Sequence, residues 1–186
     1  ISLLEEWDFV VTGESTAATI AILTLIRINE NNGDHPFSAS ELTESGVPEE
    51  IVLQSFSEAV AHLEEHFGSI AVPWLEINRL RRGDFDQGLR GGPDLLHAVY
   101  SDVDEDGRLR GVGGDCYVML VTFEPDGSIT SRSIHQFGSA TLDETSPHYA
   151  DQAALFAQRE LKPIWFTEEE IRENLERAYR PGGEGN

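Results

Sequence analysis

The run CYVMLVTFEPDGSITSRSIHQF, residues 116–137, carries the clearest β-signal in the chain. Valine, leucine, methionine and aromatic residues fill its first half, Pro125, Asp126 and Gly127 form a turn, and polarity partly alternates in its second half. That order predicts an antiparallel hairpin. The first strand is apolar on both faces, which predicts a place inside a sheet covered on both sides. Such a strand needs layers around it, so the flanking segments are read for what could supply them.

Upstream, residues 1–68 read as mainly helical. Leu3, Leu4 and Trp7 can anchor a short helix ending near Asp8, and STAATIAILTLIRI, residues 15–28, is apolar almost all round, as a helix buried between layers would be. Ser38 and Glu41 stand at capping-box spacing. A stronger helix follows. Pro48 lies in its first turn beside Glu49 and Glu50, Val52, Phe56, Ala59, Leu63 and Phe67 recur every three or four residues, and Gly68 can close it.

Residues 69–114 are glycine-rich and aperiodic, and read as a loop system. Downstream of the hairpin, residues 146–180 read as two helices. Ser146 caps the first with Pro147 at its opening position, Thr167 and Glu170 form the capping pair of the second, and Ile171, Leu175 and Tyr179 line one face. The tail PGGEGN reads as frayed.

Charge bounds the partners. There are 34 acidic residues against 13 basic ones, Lys162 is the only lysine, and the formal net charge is −21. This surface repels phosphate backbones and anionic lipid, so neither nucleic acid nor a membrane is an expected partner. Carboxylate excess with arginine in place of lysine fits a protein working in high salt, where self-repulsion is screened. Cys116 stands alone, which excludes an internal disulfide and a cysteine metal cage. The longest apolar run, residues 17–28, is too short and too broken by threonine to cross a bilayer. No signal peptide is evident, and a chain opening on Ile1 reads as the inside of something longer.

Four groups of residues invite chemistry. Ser146, His148 and Asp151 have triad composition, but consecutive turns of one helix cannot place an imidazole between a hydroxyl and a carboxylate, so Ser146 reads as a cap. His62 and His66 have metal-sharing spacing, yet Leu63 stands where a zinc protease needs glutamate, and a solvated pair is the expected state. Asp102, Asp104, Asp106 and Gly107 reproduce half a calcium loop, while Gly113 occupies the position of its bidentate glutamate; a polar turn is the preferred reading and calcium the alternative. Arg79, Arg81 and Arg82 read as partners of carboxylates elsewhere in the fold, with substrate binding as the sharper alternative. The glycines of GVGGD and GLRGG lack the strand and helix order of a dinucleotide site. No catalytic, cofactor-binding or metal residue is assigned within the chain.

Segment order adds a resemblance. LLEEWD (residues 3–8), NRLRRGDFDQGLRGGPD (78–94), GGDCYVMLVTFEPDG (113–127), QFGSATLDETSPHYADQ (136–152) and KPIWFTEEEI (162–171) together resemble the C-terminal part of the β-subunit in the penicillin acylase family of N-terminal nucleophile hydrolases. NRLRRGD and SPHYADQ look closer to its acyl-homoserine-lactone and aculeacin acylase branch than to the penicillin G branch.

The resemblance implies an α+β chain that is one segment of an αββα sandwich, with helices at both ends and the hairpin near 115–137. It implies a parent enzyme that cleaves its own precursor and hydrolyses an N-acyl amide through an acyl-enzyme on an N-terminal serine. The amine released would be a β-lactam nucleus, a homoserine lactone or a lipopeptide. The expected partners are the α-subunit and the N-terminal part of the β-subunit, with no cofactor, and family members are typically exported. Nucleophile and oxyanion asparagine would lie upstream of LLEEWD, so Asn78 is not promoted to that role. A non-catalytic binding or scaffold module that keeps the acylase tail fold is the alternative.

Overall fold

A computed structural model describes residues 2–32 and 46–178. The capping pair Ser38 and Glu41, Tyr179 and the glycine-rich tail lie outside them. The described chain is α+β, with two sheets and flanking helices.

Helix α1 (Ser2–Glu5) is followed by α2 (Thr16–Asn31), which starts where Ser15 Oγ accepts the Ala18 amide at 3.1 Å. Helix α3 (Glu49–Phe67) opens after Pro48 with two glutamates in its first turn and closes on Gly68 at φ 67°, a left-handed cap that favours glycine. Ile20 and Leu23 of α2 meet Ala59 and Leu63 of α3, and this pair is sealed by Val72, Trp74, Ile77 and Leu109. Trp74 is fully buried, and its indole donates to the Gly91 carbonyl at 2.7 Å, so the bulkiest core residue leaves no donor unmet.

The segment expected to be loops is instead a sheet. After α4 (Trp74–Ile77) come β1 (Asn78–Arg82), β2 (Phe85–Gly88), β3 (Val99–Val103) and β4 (Leu109–Gly114), ordered β2-β1-β4-β3 with β1 and β4 parallel. Many of its glycines serve turns and close approaches. Gly107, at φ 78°, closes the β3–β4 hairpin, and the β3–β4 register shifts between Tyr100 and Ser101. Short strands with a bulge and few β-branched residues leave little alternation for a sequence pattern to reveal.

The second sheet is antiparallel, β5 (Tyr117–Phe123), β6 (Ile129–His135) and β7 (Lys162–Pro163) in that order. The apolar strand β5 does not lie inside it. It is the edge, and Tyr117, Met119, Leu120, Val121 and Phe123 are exposed. Only Val118 packs inward, against a second core of Leu80, Leu89, Val99, Ile134, Ala153, Phe156 and Ala157.

The helix expected from Ser146 is also absent. Residues 141–152 run through turns, and α5 (Ala153–Gln158) begins after them. The backbone groups a helix would use are taken by a neighbouring segment: the His148 carbonyl accepts the Ala140 amide at 3.1 Å, and the Gln152 amide donates to Phe137 at 2.7 Å. Helix α6 (Glu168–Glu173) does carry the capping box of Thr167 and Glu170, but it has no buried residue. Among the described residues no helix is long and apolar enough to cross a membrane.

Candidate functional site

The two sheets meet beneath α5, and two clefts open at that joint. One cleft of about 170 Å³ runs between Leu80, Val99, the glycines of β4, Cys116, Gln136 and Phe156. A second, of about 340 Å³, is walled by Leu96, His97, Asp115, Val118, Ile134, Phe156 and Arg159. Asp115 and Phe156 border both. His97 Nδ1 lies 3.0 Å from Asp115 Oδ2, and the ring is tilted against Phe156 at 5.5 Å between centroids. The β3–β4 hairpin makes this pair, since the Asp115 amide donates to the Ala98 carbonyl at 3.0 Å just past the strand ends.

A carboxylate on one ring nitrogen is how a histidine base is oriented, but a base must also reach the proton it takes. Among the described residues His97 Nε2 is buried and meets no hydroxyl or thiol, and Cys116 is exposed. The joint is therefore a wall that can hold an apolar group, and no nucleophile is activated there by the described residues.

The residues singled out in the sequence are engaged structurally. His148 does contact Asp151, with Nδ1 2.8 Å from Oδ2, yet its Nε2 faces Glu176 Oε2 at 3.0 Å, and Ser146 Oγ instead accepts the His148 amide at 3.2 Å. Both ring nitrogens are thus on carboxylates, which leaves none for the serine.

His62 is not solvated as expected. It is buried, its Nε2 meets the Gly107 carbonyl at 2.8 Å, and its ring lies tilted at 45° against that of the exposed His66, 4.6 Å between centroids. Since that carbonyl can only accept, Nε2 carries the proton. Burial pushes the His62 pKa below the ordinary histidine value against the opposing effect of this hydrogen bond.

The half calcium loop is the turn of the β3–β4 hairpin. Two of its aspartates face guanidinium: Arg81 reaches Asp104 at 2.9 Å and Asp106 at 2.6 Å, Arg110 reaches Asp104 at 3.0 Å, and Arg108 reaches Asp106 at 3.2 Å. The Arg81 hydrogen bond chiefly holds the Asp106 carboxyl well below the usual carboxylate range. For Asp104 burial works the other way and is outweighed by Arg81 and Arg110. No group of three or more histidine, cysteine or acidic residues is arranged to hold a metal among the described residues.

Arg79 and Arg81 pair with Asp86 as carboxylate partners, but Arg82 differs. Its guanidinium lies 3.8 Å from the Tyr149 ring centroid and 4.5 Å from that of Phe137, and donates to the Thr141 carbonyl at 2.6 Å. It clamps the turn region onto β1 through aromatic faces. Asn78 is fully buried, with Nδ2 donating to Leu89 O at 2.7 Å and Oδ1 accepting Ser101 Oγ at 2.9 Å, so both ends of its amide are used internally.

The His97–Asp115 pair was not visible in the sequence, although a signal existed. The two residues lie almost symmetrically about Asp104–Gly107, so reading that run as a hairpin turn would have brought them together.

Mixed sheets, flanking helices and a concave joint between the sheets define an α+β fold. The chain belongs to the penicillin amidase family, whose model matches residues 1–173. Over 104 residues, 54% of this chain, it is 32% identical to acyl-homoserine lactone acylase PvdQ of Pseudomonas fluorescens strain Pf-5. Over 102 residues, 53% of the chain, it is 29% identical to the protein of the same name from strain Pf0-1. The chain spans only 13% of the length of either relative. Among solved structures, the thermostable penicillin G acylase from Alcaligenes faecalis aligns with 92% of this chain and 30% of its own, at 18% identity and a TM-score of 0.33.

Proposed function

We propose that this chain is the C-terminal part of the β-subunit of an exported N-acyl amide hydrolase, and that it forms one flank of an αββα sandwich completed by preceding sequence. In this reading the nucleophile is the N-terminal serine of the β-subunit, outside this chain, and the acyl-enzyme forms there. The amine released would be a β-lactam nucleus, a homoserine lactone or a lipopeptide.

The uncovered strand β5 carries the proposal. Its two faces present Tyr117, Met119, Val121 and Phe123 on one side and Leu120 on the other, all exposed. An apolar edge strand left open is a site for pairing or aggregation, and a covering layer from the parent chain removes both hazards. The joint beside it would then supply pocket wall.

The test is the N-terminal sequence and intact mass of the mature protein from its source, followed by substitution of the residue at the new N-terminus. The proposal expects Ile1 to be internal to a β-chain beginning with serine, and a Ser→Ala change there to abolish acid release from N-acyl-homoserine lactone. A mature chain beginning near Ile1, monomeric and without a partner, would instead make this a binding or scaffold module.

A further inference from the structure

Beyond Pro163 the chain forms a strap, residues 164–178, lying across the turns that follow Asp143. The strap is anchored at its start, where the Ile164 amide donates to the Ser131 carbonyl at 2.9 Å. Its own helix α6 buries nothing, and the bonds of its capping box and the Arg172–Glu168 pair are internal to it. Near its far end, Glu176 returns to the turn through His148. A hollow of about 480 Å³ lies in between, lined by Pro147, Trp165, Ile171 and Leu175 together with His148 and Glu176.

The bridge has a chemical requirement. His148 Nδ1 lies 2.8 Å from an Asp151 carboxylate oxygen and Nε2 lies 3.0 Å from one of Glu176. Ionised carboxylates only accept hydrogen bonds, and a neutral imidazole has one N–H to give. Both bonds coexist only on the doubly protonated ring. Once that proton leaves, one ring nitrogen turns a lone pair toward a carboxylate, and two negative charges face each other without a cation between them.

We propose that His148, held as an imidazolium between Asp151 and Glu176, is a proton-operated pin that fastens the strap over the 143–152 turn and releases it on deprotonation. Glu176 is the group that leaves. It is 77% exposed on a strap with little burial, whereas Asp151 lies three residues from His148 against Gly138, where a side chain would not fit.

The charged groups facing the ring are Asp151 from its own turn and, from the strap, Glu176, with Arg177 next to it in the same hollow. The remaining contacting segment, residues 138–140, brings no ionisable side chain. The two anions outweigh the one cation. The Asp151 hydrogen bond, followed by the charge of Glu176, raises the His148 pKa above the ordinary histidine value. A raised folded pKa means the strap is fully fastened below the ordinary value and stays so until the pH climbs through the raised one. It is then lost on the alkaline side.

Hydrogen exchange of the full-length protein, followed by mass spectrometry from about pH 5.5 to about pH 9 with intrinsic rates corrected, tests this. Protection of strap peptides should fall by about two- to fivefold in a single step, the range expected of an exposed ion pair, while α3 peptides stay unchanged. His148→Lys should keep protection across the range, His148→Gln should be low at every pH, and Glu176→Gln should lose the step. A strap whose exchange ignores pH, or a step that persists in His148→Gln, overturns the proposal.

Discussion

The β3–β4 hairpin turns on Asp104, Glu105, Asp106 and Gly107, and the β5–β6 hairpin on Glu124, Pro125, Asp126 and Gly127, and the two turns are built alike. In each, the glycine amide donates to the first acidic residue's carbonyl at 3.0 Å, the glycine has positive φ, and the aspartate before it accepts the amide two residues on. Their surroundings differ. Around the first, His66 sits against Gly107, His62 holds its carbonyl, and arginines grip both aspartates. Around the second there is open space. The same local chemistry therefore serves as an interior joint in one place and an uncovered arm in the other. What surrounds the turn decides its worth.

The largest contrast should come from alanine at the two glycines. Gly107→Ala combines a left-handed φ of 78° with a collision against the His66 ring, and is expected to cost about 2–4 kcal/mol. Gly127→Ala meets only the backbone strain of φ 86°, about 1–2 kcal/mol. Equal midpoints in urea denaturation of the two variants would break the comparison.

Side chains of the two regions offer the next test. Leu109→Ala in β4 empties a fully buried site and should cost about 2–5 kcal/mol, whereas Met119→Ala in β5, at a position 49% exposed, should cost under about 1 kcal/mol. Met119→Glu should at the same time reduce self-association of the isolated chain in sedimentation runs. It should also impair assembly with the preceding sequence if β5 is the covered flank proposed.

Arg81→Met should destabilise by about 1–3 kcal/mol, because Asp104 and Asp106 lose a shared guanidinium in a partly buried setting. Its pH signature is specific. Both aspartates have depressed folded pKa values, so their stabilisation is present above the ordinary carboxylate value near about 3.9 and is lost as pH falls toward the folded values. The acid limb of the thermal-unfolding profile should be steeper in the parent than in Arg81→Met. Parallel limbs would deny the arginine that role.

The smallest effect should come from salt. With a net charge of −21, raising potassium chloride from about 0.1 to about 1 M shortens the Debye length from about 10 to about 3 Å and should raise the melting temperature by a few degrees. An unchanged or falling midpoint would remove the high-salt reading of the composition.

Much of the fold was legible where a residue's role is local. Helix α3 was marked by its periodicity, its opening glutamates and Gly68, the capping box by Thr167 and Glu170, and the β5–β6 turn by Pro125 and Gly127. The four-stranded sheet was hidden because its strands are short, rich in arginine and glycine, and interrupted by a bulge. The candidate site was less legible still. His97 and Asp115 meet only through pairing of β3 with β4, and Arg82 chose aromatic faces supplied by Phe137 and Tyr149, far along the chain.

By itself the sequence determined the charge, the absence of an internal disulfide, the ends of α3, the capping box of α6 and the β5–β6 turn, since each depends on the properties of a few adjacent residues. Tertiary structure alone decided that DVDEDG is a clamped turn, that His62 is buried, that Ser146 opens no helix and that β5 is an uncovered edge. Those outcomes depend on which distant group supplies the counter-charge, the hydrogen-bond partner or the covering layer, and no local pattern encodes the identity of that partner.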